Sequence, residues 1–221
     1  MAWLAQAGWR AIGVEEAARE LAAARVAPRT VGLSFDDGYR DVAEHGLPAL
    51  AEHGFSATVF VSTGVVDGRA SFAWYGRQPP LLGWEEIREL AGGETLGFGA
   101  HTVTHPDLRT LSEADARAEI DGSKRELEEQ LGRPVETFCY PAGFFGERDR
   151  QLVAEAGFAA AVTTEPGANG PGDDLFTLRR IQVDRGDGLL AFQAKVAGAF
   201  DRPLAGRALY RRLRYAPRRR S

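Results

Sequence analysis

The stretch TVGLSFDDGY, Thr30–Tyr39, contains an apolar run that changes abruptly into acidic residues and a glycine. Its first six residues are rich in β-formers and have the length of a buried strand, which Asp36, Asp37 and Gly38 would end. In parallel α/β folds, the residues that follow the carboxyl ends of strands form the rim where active sites lie. This stretch therefore predicts both a strand and a catalytic position.

On either side of this stretch, strand patterns alternate with helix patterns. Five further strands are predicted at ATVFVS (57–62), ETLGFGA (94–100), TFCY (137–140), AAAVTT (159–164) and FTLRRIQV (176–183). Helical patterns occur over 13–24, 41–53, 84–90, 112–131, 147–156 and 189–200. Six strands separated by helices predict a parallel α/β sheet, either a barrel or a doubly wound layer.

Composition limits the class of protein. The chain has 221 residues, 44% of them hydrophobic and 26% charged, which is ordinary globular usage and predicts a single domain over 1–205. A net charge of −4 argues against a nucleic-acid partner. Cys139 is the only cysteine, so no intrachain disulfide forms, and we interpret it as a small buried hydrophobe. No signal-peptide pattern and no run of eighteen apolar residues is found, so as written the chain predicts a cytoplasmic location.

The C-terminal tail, 206–221, departs from this balance. Its last fifteen residues, RALYRRLRYAPRRRS, carry seven arginines and no acid. Such a segment is either a solvated terminus or a contact with anionic lipid, a polyanion or a partner, so a weak association with a membrane or polyanion is one expectation.

Two of the four histidines, His101 and His105, lie within the stretch GAHTVTH, 99–105. In an extended strand their rings would be roughly 13 Å apart, whereas in a helical turn they would be neighbours. Pro106 disfavours right-handed helical geometry for His105, so such a turn must end there. The pair is either a metal-binding pair or two surface histidines; His45 and His53 are interpreted as surface or packing residues.

Three polar segments follow predicted strands: SFDDGY, HTVTH and YPAGFFG. Since the carboxyl ends of parallel strands share one edge, the three segments should converge. Alone, Asp36-Asp37-Gly38 is also good turn chemistry. With His101 and His105, however, Asp37 completes a two-histidine, one-carboxylate set that suits zinc and leaves positions open for water and substrate. Asp36 is then available as a base. Nickel, cobalt and iron remain alternatives.

The motifs SFDDG, HTVTH and FCYPAG, in this order and spacing, resemble those of the polysaccharide deacetylases of carbohydrate esterase family 4, the NodB-homology fold. The resemblance covers about 30–183. It implies a distorted (β/α)7-type barrel and metal-dependent hydrolysis of the N-acetyl group of an amino sugar. By motif position, Asp36 would be the general base, while Asp37, His101 and His105 would be the metal ligands. The backbone around Tyr140 to Ala142 would contact the oxyanion.

The chain departs from the family pattern at the general acid. Many members use a late histidine, but none follows His105, and Cys139 and Ala142 replace a family arginine and tyrosine. These departures resemble the biofilm-polysaccharide branch, which has its acid histidine upstream of the Asp-Asp strand. We therefore expect Met1 to be an internal start, with the first barrel strand and its histidine missing. Asp36 would then serve as a weak acid in turn, at a cost in rate.

The sequence thus predicts a monomeric, zinc-dependent N-deacetylase acting on an N-acetylhexosamine polysaccharide. The alternatives are a catalytically impaired glycan-binding pseudo-deacetylase and a structural metal site. Trp84, Pro141 and Arg180 are predicted substrate contacts. Trp74, Tyr75 and Trp84 either stack on sugar rings or pack in the core. A truncated start would also lack an export signal, so a cell-envelope location stays open.

Overall fold

The computed structural model describes residues 1–199. They form the alternating α/β arrangement that the sequence predicts. The elements, in chain order, are α1 (Ala2–Gln6), β1 (Arg10–Gly13), α2 (Val14–Ala22), β2 (Thr30–Phe35), a π-helical segment (Val42–Gly46), α3 (Leu47–Ala51), β3 (Ala57–Val61), α4 (Thr63–Val66), α5 (Trp84–Ala91), β4 (Leu96–Ala100), a 3₁₀ turn (Leu108–Thr110), α6 (Glu113–Leu131), β5 (Thr137–Cys139), a second 3₁₀ turn (Pro141–Gly143), α7 (Glu147–Glu155), β6 (Ala160–Val162), a third 3₁₀ turn (Leu175–Thr177) and α8 (Leu189–Val196).

The chain divides into two compact units. The first comprises Met1–Thr163 and Asn169–Leu178 and contains the whole sheet. The second comprises Thr164–Ala168 and, among the described residues, 179–199. Within the second unit, Lys195 Nζ lies 2.6 Å from Asp187 Oδ2. The arginine-rich tail over 206–221 lies outside the described residues, and so does the predicted end of the last helix at residue 200.

The six strands pair in sequence order, β1-β2-β3-β4-β5-β6, and every pairing is parallel. The predicted fold class is therefore confirmed: a six-stranded α/β sheet of the distorted (β/α) barrel type with fewer strands than a full barrel. Because all strands run the same way, the segments after β2, β4 and β5 emerge at one edge of the sheet. The three polar motifs occupy that edge.

The centre of the sheet is β3, in which all five residues are buried. A strand buried on both faces is expected to read as a continuous apolar run, as ATVFV does. Val14 and Ala18 of α2 belong to one buried cluster with side chains from β3, β5 and β6; its other members are Phe60, Cys139, Ala160, Val162 and Leu178. Helix α2 therefore packs across the sheet and gives it a core.

The longest helix, α6, has the ends that its sequence predicts. Ser112 Oγ accepts a hydrogen bond from the N–H of Asp115 at 3.2 Å and caps the N-terminus of the helix. At the other end Gly132 adopts φ 65° and its N–H donates to Glu128 O. Glycine adopts the left-handed conformation at little cost in free energy, so Gly132 ends the helix.

Two strand assignments differ from the sequence prediction. The predicted strand FTLRRIQV is wrong: a 3₁₀ turn covers Leu175–Thr177, and only Leu178 pairs with β6, through a single parallel bridge to Val162. The strand β1 was missed, since RAIG has four residues and one β-branched side chain. Its stability comes from pairing with β2, in the register Arg10↔Thr30 to Gly13↔Leu33, which is tertiary context that local propensity does not contain.

Candidate active site

The structure brings together the predicted carboxylate and both predicted histidines. Asp37 follows β2, and His101 follows β4 directly. Asp37 Oδ1 lies 3.6 Å from His101 Nε2 and 3.6 Å from His105 Nε2. Ligands about 2.1 Å from a tetrahedral ion are separated by about 3.4 Å, so the two carboxylate–imidazole separations suit a shared cation, and all three donor atoms lie within 4.8 Å of one another. The three side chains form the ligand cluster.

Hydrogen bonds at its backbone and at its ring fix the orientation of His101. Its N–H donates to Val61 O at 3.0 Å, and its carbonyl accepts from Ser62 Oγ at 2.8 Å. Its Nδ1 lies 2.7 Å from Cys139 O. A carbonyl only accepts, so Nδ1 carries the proton in the neutral ring and Nε2 presents its lone pair toward Asp37. This carbonyl partner is the kind of outer contact that fixes a metal-ligating imidazole.

The His101–His105 segment is not the helical turn that would make the rings neighbours. It is a bend in which Thr102 and His105 adopt φ 66° and 60°, and the ring centroids of the two histidines lie 4.6 Å apart. The Glu119 carboxylate of α6 accepts from the N–H groups of Val103 and Thr104 at 2.9 and 2.8 Å. A left-handed bend held from outside the segment therefore replaces the helix, and the sequence contains no local signal for it.

Strained backbone concentrates at this edge. Among the described residues six non-glycine residues have a left-handed φ, and four of them lie in the three polar motifs: Asp37 (71°), Thr102, His105 and Ala142 (53°). Each such conformation costs of the order of 1 kcal/mol or more and persists only where surrounding contacts enforce it. The clustering of these costs at one place is typical of a site whose geometry is selected for function.

His105 lies in an apolar environment. Its side chain is 10% exposed, and the rings of Phe72 and Trp74 have centroids 5.4 and 4.8 Å from its own. Burial, reinforced by the neighbouring His101, lowers the pKa of His105 to about 4, although the Asp37 carboxylate opposes the shift. The imidazole is therefore neutral at physiological pH, the state in which it donates its lone pair to a cation.

Tyr39 is a functional contact that the sequence reasoning did not identify. Its hydroxyl donates to Asp37 Oδ2 at 3.0 Å and lies 3.1 Å from the hydroxyl of Tyr75. Burial raises the pKa of Tyr39 well above its ordinary value, with contributions from Tyr75 and Asp37, so the phenol keeps its proton. By holding Oδ2, Tyr39 leaves Oδ1 directed at the two imidazoles.

The second acid of the pair, Asp36, is half-buried beside the ligand cluster. A carboxylate oxygen of Asp36, a ring nitrogen of His101 and Cys139 Sγ all lie within 4.8 Å of one another. Asp36 and Asp37 thus both approach His101 but belong to different groups of neighbours, as expected for adjacent residues directed to different sides of the backbone. Cys139 is fully buried and is a member of the apolar cluster around α2.

The third motif, YPAGFFG, forms the 3₁₀ turn Pro141–Gly143 after β5. The backbone around Tyr140 to Ala142 is predicted to contact the oxyanion. The Tyr140 N–H already donates to Val162 O at 3.2 Å, and its hydroxyl donates to Phe176 O at 3.1 Å. Pro141 has no N–H. Neither Tyr140 nor Pro141 therefore offers a backbone N–H to an oxyanion. Tyr140 is instead a buried structural residue, whose pKa burial raises.

The predicted substrate contacts fall in different surroundings. Trp84 is the half-buried first residue of α5. Pro141 is buried, and its contact with a substrate stays a prediction. Arg180 belongs to the second unit, where its N–H donates to Glu165 O at 2.9 Å. His45 is exposed and His53 packs at 5.8 Å from the ring of Phe55.

A parallel α/β sheet with an Asp-His-His cluster at its carboxyl edge defines a protein able to hold a cation at that edge. Comparison with known proteins makes the class specific. Residues 23–161, more than half of the chain, match the family model described as polysaccharide deacetylase. The chain belongs to the polysaccharide deacetylase family, and the resemblance stated from its motifs is confirmed. Membership implies deacetylase activity, a hydrolytic reaction.

Relatives agree with this assignment. YxkH of Bacillus subtilis (strain 168), provisionally named a polysaccharide deacetylase, is 27% identical over 197 residues, which are 89% of this chain and 67% of YxkH. The solved structure of the Streptococcus pyogenes deacetylase PplD, in complex with acetate, is 25% identical with a TM-score of 0.77, covering 87% of this chain and 82% of PplD. IcaB from Ammonifex degensii is 25% identical with a TM-score of 0.73, covering 88% of this chain and 85% of IcaB.

Proposed function

We propose that this protein is a metal-dependent N-deacetylase that removes acetyl groups from an N-acetylhexosamine polysaccharide. The observation that carries the proposal is the position of Asp37 Oδ1, 3.6 Å from Nε2 of both His101 and His105. Three donor atoms arranged in this way leave coordination positions open, as catalytic metals need. Two imidazoles and one carboxylate suit zinc.

A bound divalent cation would supply Lewis acidity, which acidifies water and polarises the acetamide carbonyl. The residues of the chain supply the rest. The Asp36 carboxylate takes the proton of the attacking water, so the O–H bond breaks as the new C–O bond forms at the acetamide carbon. The Ala142 N–H donates to the oxygen on which negative charge develops. The C–N bond then breaks, and Asp36 returns its proton to the departing amine, which leaves as the free amino sugar with acetate as co-product.

The burial of the cluster favours this chemistry. His101 and Asp37 have side chains that are 2% and 17% exposed. Charges in such partly desolvated surroundings interact more strongly than they do in water. Burial lowers the pKa of His105 to about 4, so that ring is neutral at neutral pH and can donate its lone pair to a cation.

Acetate release tests the proposal. The substrate is the soluble tetramer of N-acetylglucosamine, and the zinc-loaded protein is compared with its Asp36→Asn variant. We expect acetate release by the native protein and a loss of about 10²–10⁴-fold in kcat for the variant, the usual worth of a positioned acid-base group. Zinc affinity should change little. Asp41→Asn, an exposed acid five residues further on, is the matched control and should retain full activity.

Three results would contradict the proposal. Equal activity of the native protein and Asp36→Asn would remove Asp36 from the reaction. Tight binding of the tetramer with no acetate release would instead support the glycan-binding pseudo-deacetylase. Exchange-inert zinc, with no binding of the tetramer, would support a structural metal site.

A further inference from the structure

An aromatic segment over 72–75, between α4 and α5, borders the ligand cluster. Phe72 is 2% exposed and anchors the segment, and its N–H donates to Gln78 Oε1 at 3.0 Å. Trp74 and Tyr75, in contrast, are 52% and 41% exposed. Both rank among the large hydrophobic side chains that the described part of the chain leaves in solvent. Such exposure costs hydrophobic free energy, so a ligand that covers these rings would recover it.

The position of Trp74 is well defined. Its ring is stacked on Phe72, with centroids 4.7 Å apart and an interplanar angle of 22°. Its centroid lies 4.8 Å from that of His105. Phe72 therefore lies against one face of the indole, and about half of the Trp74 residue is exposed to solvent. A flat apolar surface is thus presented directly beside a member of the ligand cluster.

Tyr75 constrains the same segment from the other side. Its hydroxyl lies 3.1 Å from that of Tyr39, whose hydroxyl in turn donates to Asp37. The rings of Tyr39 and Tyr75 meet edge to face, with centroids 6.2 Å apart. Two contacts therefore tie the segment to the ligand cluster, one to His105 and one through Tyr39 to Asp37. Its exposed rings keep a constant position relative to the reacting centre, as a specific binding surface requires.

We propose that the exposed face of Trp74 is a binding subsite for a pyranose ring, the one adjoining the acetylated sugar in the polymer. This inference rests on the proposed function and names residues for substrate recognition that the motifs do not contain. The C–H bonds on one face of a pyranose are positively polarised and match the negative face of an indole. A sugar placed there would lie one ring away from the cluster, so its neighbour in the polymer would carry the acetamide to the cation.

The subsite predicts a dependence on polymer length. A monomer of N-acetylglucosamine has no second ring to place on Trp74, whereas a tetramer does. Trp74→Ala should raise KM for the tetramer about tenfold, the worth of one aromatic contact, and leave kcat within about twofold. KM for the monomer should not change. Trp74→Phe should restore most of the affinity because it keeps an aromatic face.

Steady-state acetate release from monomer and tetramer, together with zinc titration of each variant, tests the subsite. Val26→Ala, an exposed apolar residue of the same unit, is the control and should leave KM for both substrates unchanged. An unchanged tetramer KM in Trp74→Ala, or equal changes for monomer and tetramer, would overturn the proposal. So would a parallel loss of zinc affinity, because Trp74 would then act only by packing on His105.

The outcome is separable from that of the proposed function. If the native protein releases no acetate, calorimetric titration of the zinc-loaded protein with the tetramer still tests whether Trp74 binds a sugar ring. A roughly tenfold weaker tetramer affinity in Trp74→Ala would support the subsite in a protein that only binds glycan. Equal affinity in the two proteins would refute it. If acetate is released and the tetramer KM is insensitive to Trp74, the function stands and the subsite fails.

Discussion

Two partly buried carboxylates that lie against the sheet have opposite surroundings. Asp37, at the carboxyl edge, has two imidazole nitrogens 3.6 Å from one of its oxygens. Glu15, in α2, lies near the first residues of β4 and β5. A Cβ atom added to Gly97 of β4 would be 3.9 Å from Glu15 Oε1. Burial and the charge of Glu136 raise the pKa of Glu15, and the opposing effect of nearby arginines is smaller.

The difference teaches that an acidic residue alone does not identify a metal site. Beside Asp37, neutral rings with lone pairs directed inward favour a cation. Beside Glu15, another carboxylate and burial favour a proton. The same chemical group therefore favours a bound cation in one place and reduces stability in the other. Substitutions at or near the two carboxylates should therefore have different effects on metal binding and on stability.

Removing one imidazole from the ligand cluster should abolish tight zinc binding at the carboxyl edge. We expect His101→Ala to lower zinc affinity by roughly 100-fold or more, since even outer-contact residues of metal sites are worth about 10–100-fold. Competition with a fluorescent chelator measures it. His45→Ala, which removes an exposed histidine, should bind zinc like the native protein. Native-like zinc affinity in His101→Ala would place the metal elsewhere.

Tyr39 sharpens the contrast because it orients Asp37 without belonging to the ligand cluster. Tyr39→Phe removes the donor 3.0 Å from Asp37 Oδ2, and we expect zinc affinity to fall about 10-fold. Tyr75→Phe, one hydroxyl further away, should have a smaller effect. If Tyr39→Phe leaves zinc affinity unchanged, Asp37 is held in place by other contacts.

Backbone packing beneath the cluster can be tested within a single strand. A Cβ at Gly99 would lie 2.4 Å from Phe60 Cε1 and 2.7 Å from Thr137 Oγ1, whereas the nearest atom to a Cβ at Gly97 is 3.8 Å away. Gly99→Ala should therefore lower the free energy of unfolding by about 1–3 kcal/mol, and Gly97→Ala should cost much less. Urea denaturation compares the two. Equal stability of the two variants would show that β4 shifts freely to make room.

The smallest effect concerns Glu15. The pKa of Glu15 is raised in the folded protein, so the folded state binds this proton more tightly than the unfolded state does. The free energy of unfolding therefore decreases as pH rises through the pKa of the folded state, where Glu15 loses its proton. Glu15→Gln resembles the protonated form. It should melt about a degree or more above the native protein at pH 7, with the gap closing toward pH 4. Glu52→Gln, at an exposed acid, should show no such pH-dependent gap. A gap that persists at pH 4 would refute the electrostatic cause.

The sequence carries most of the fold because its strongest signals are local. The apolar runs at β2 and β3 and the long helix α6 depend on neighbouring residues and are found where predicted, although β2 is mostly half-buried and not buried as expected. β1 and the false strand at 176–183 fail for the opposite reason. Four residues become a strand only through their pairing with β2, while an eight-residue β-like pattern pairs at a single position, Leu178.

The ligand cluster follows from strand order, since Asp37 and His101 come after parallel strands of one sheet. The bend that brings His105 beside His101 does not, because it depends on Glu119, which lies 14 residues beyond His105 and on another element. The contact of Tyr39 with Asp37 and the placement of Trp74 on Phe72 likewise depend on how loops pack. Periodicity contains no information about such contacts.

The central claim is that Asp37, His101 and His105 together hold one divalent cation. A crystal structure of the chelated and zinc-reconstituted protein, with anomalous diffraction recorded at the zinc edge, tests it most directly. The account predicts one anomalous peak about 2.0–2.2 Å from Asp37 Oδ1 and from Nε2 of both rings, absent in the chelated protein. A peak away from these three atoms, or none at saturating zinc, would contradict it.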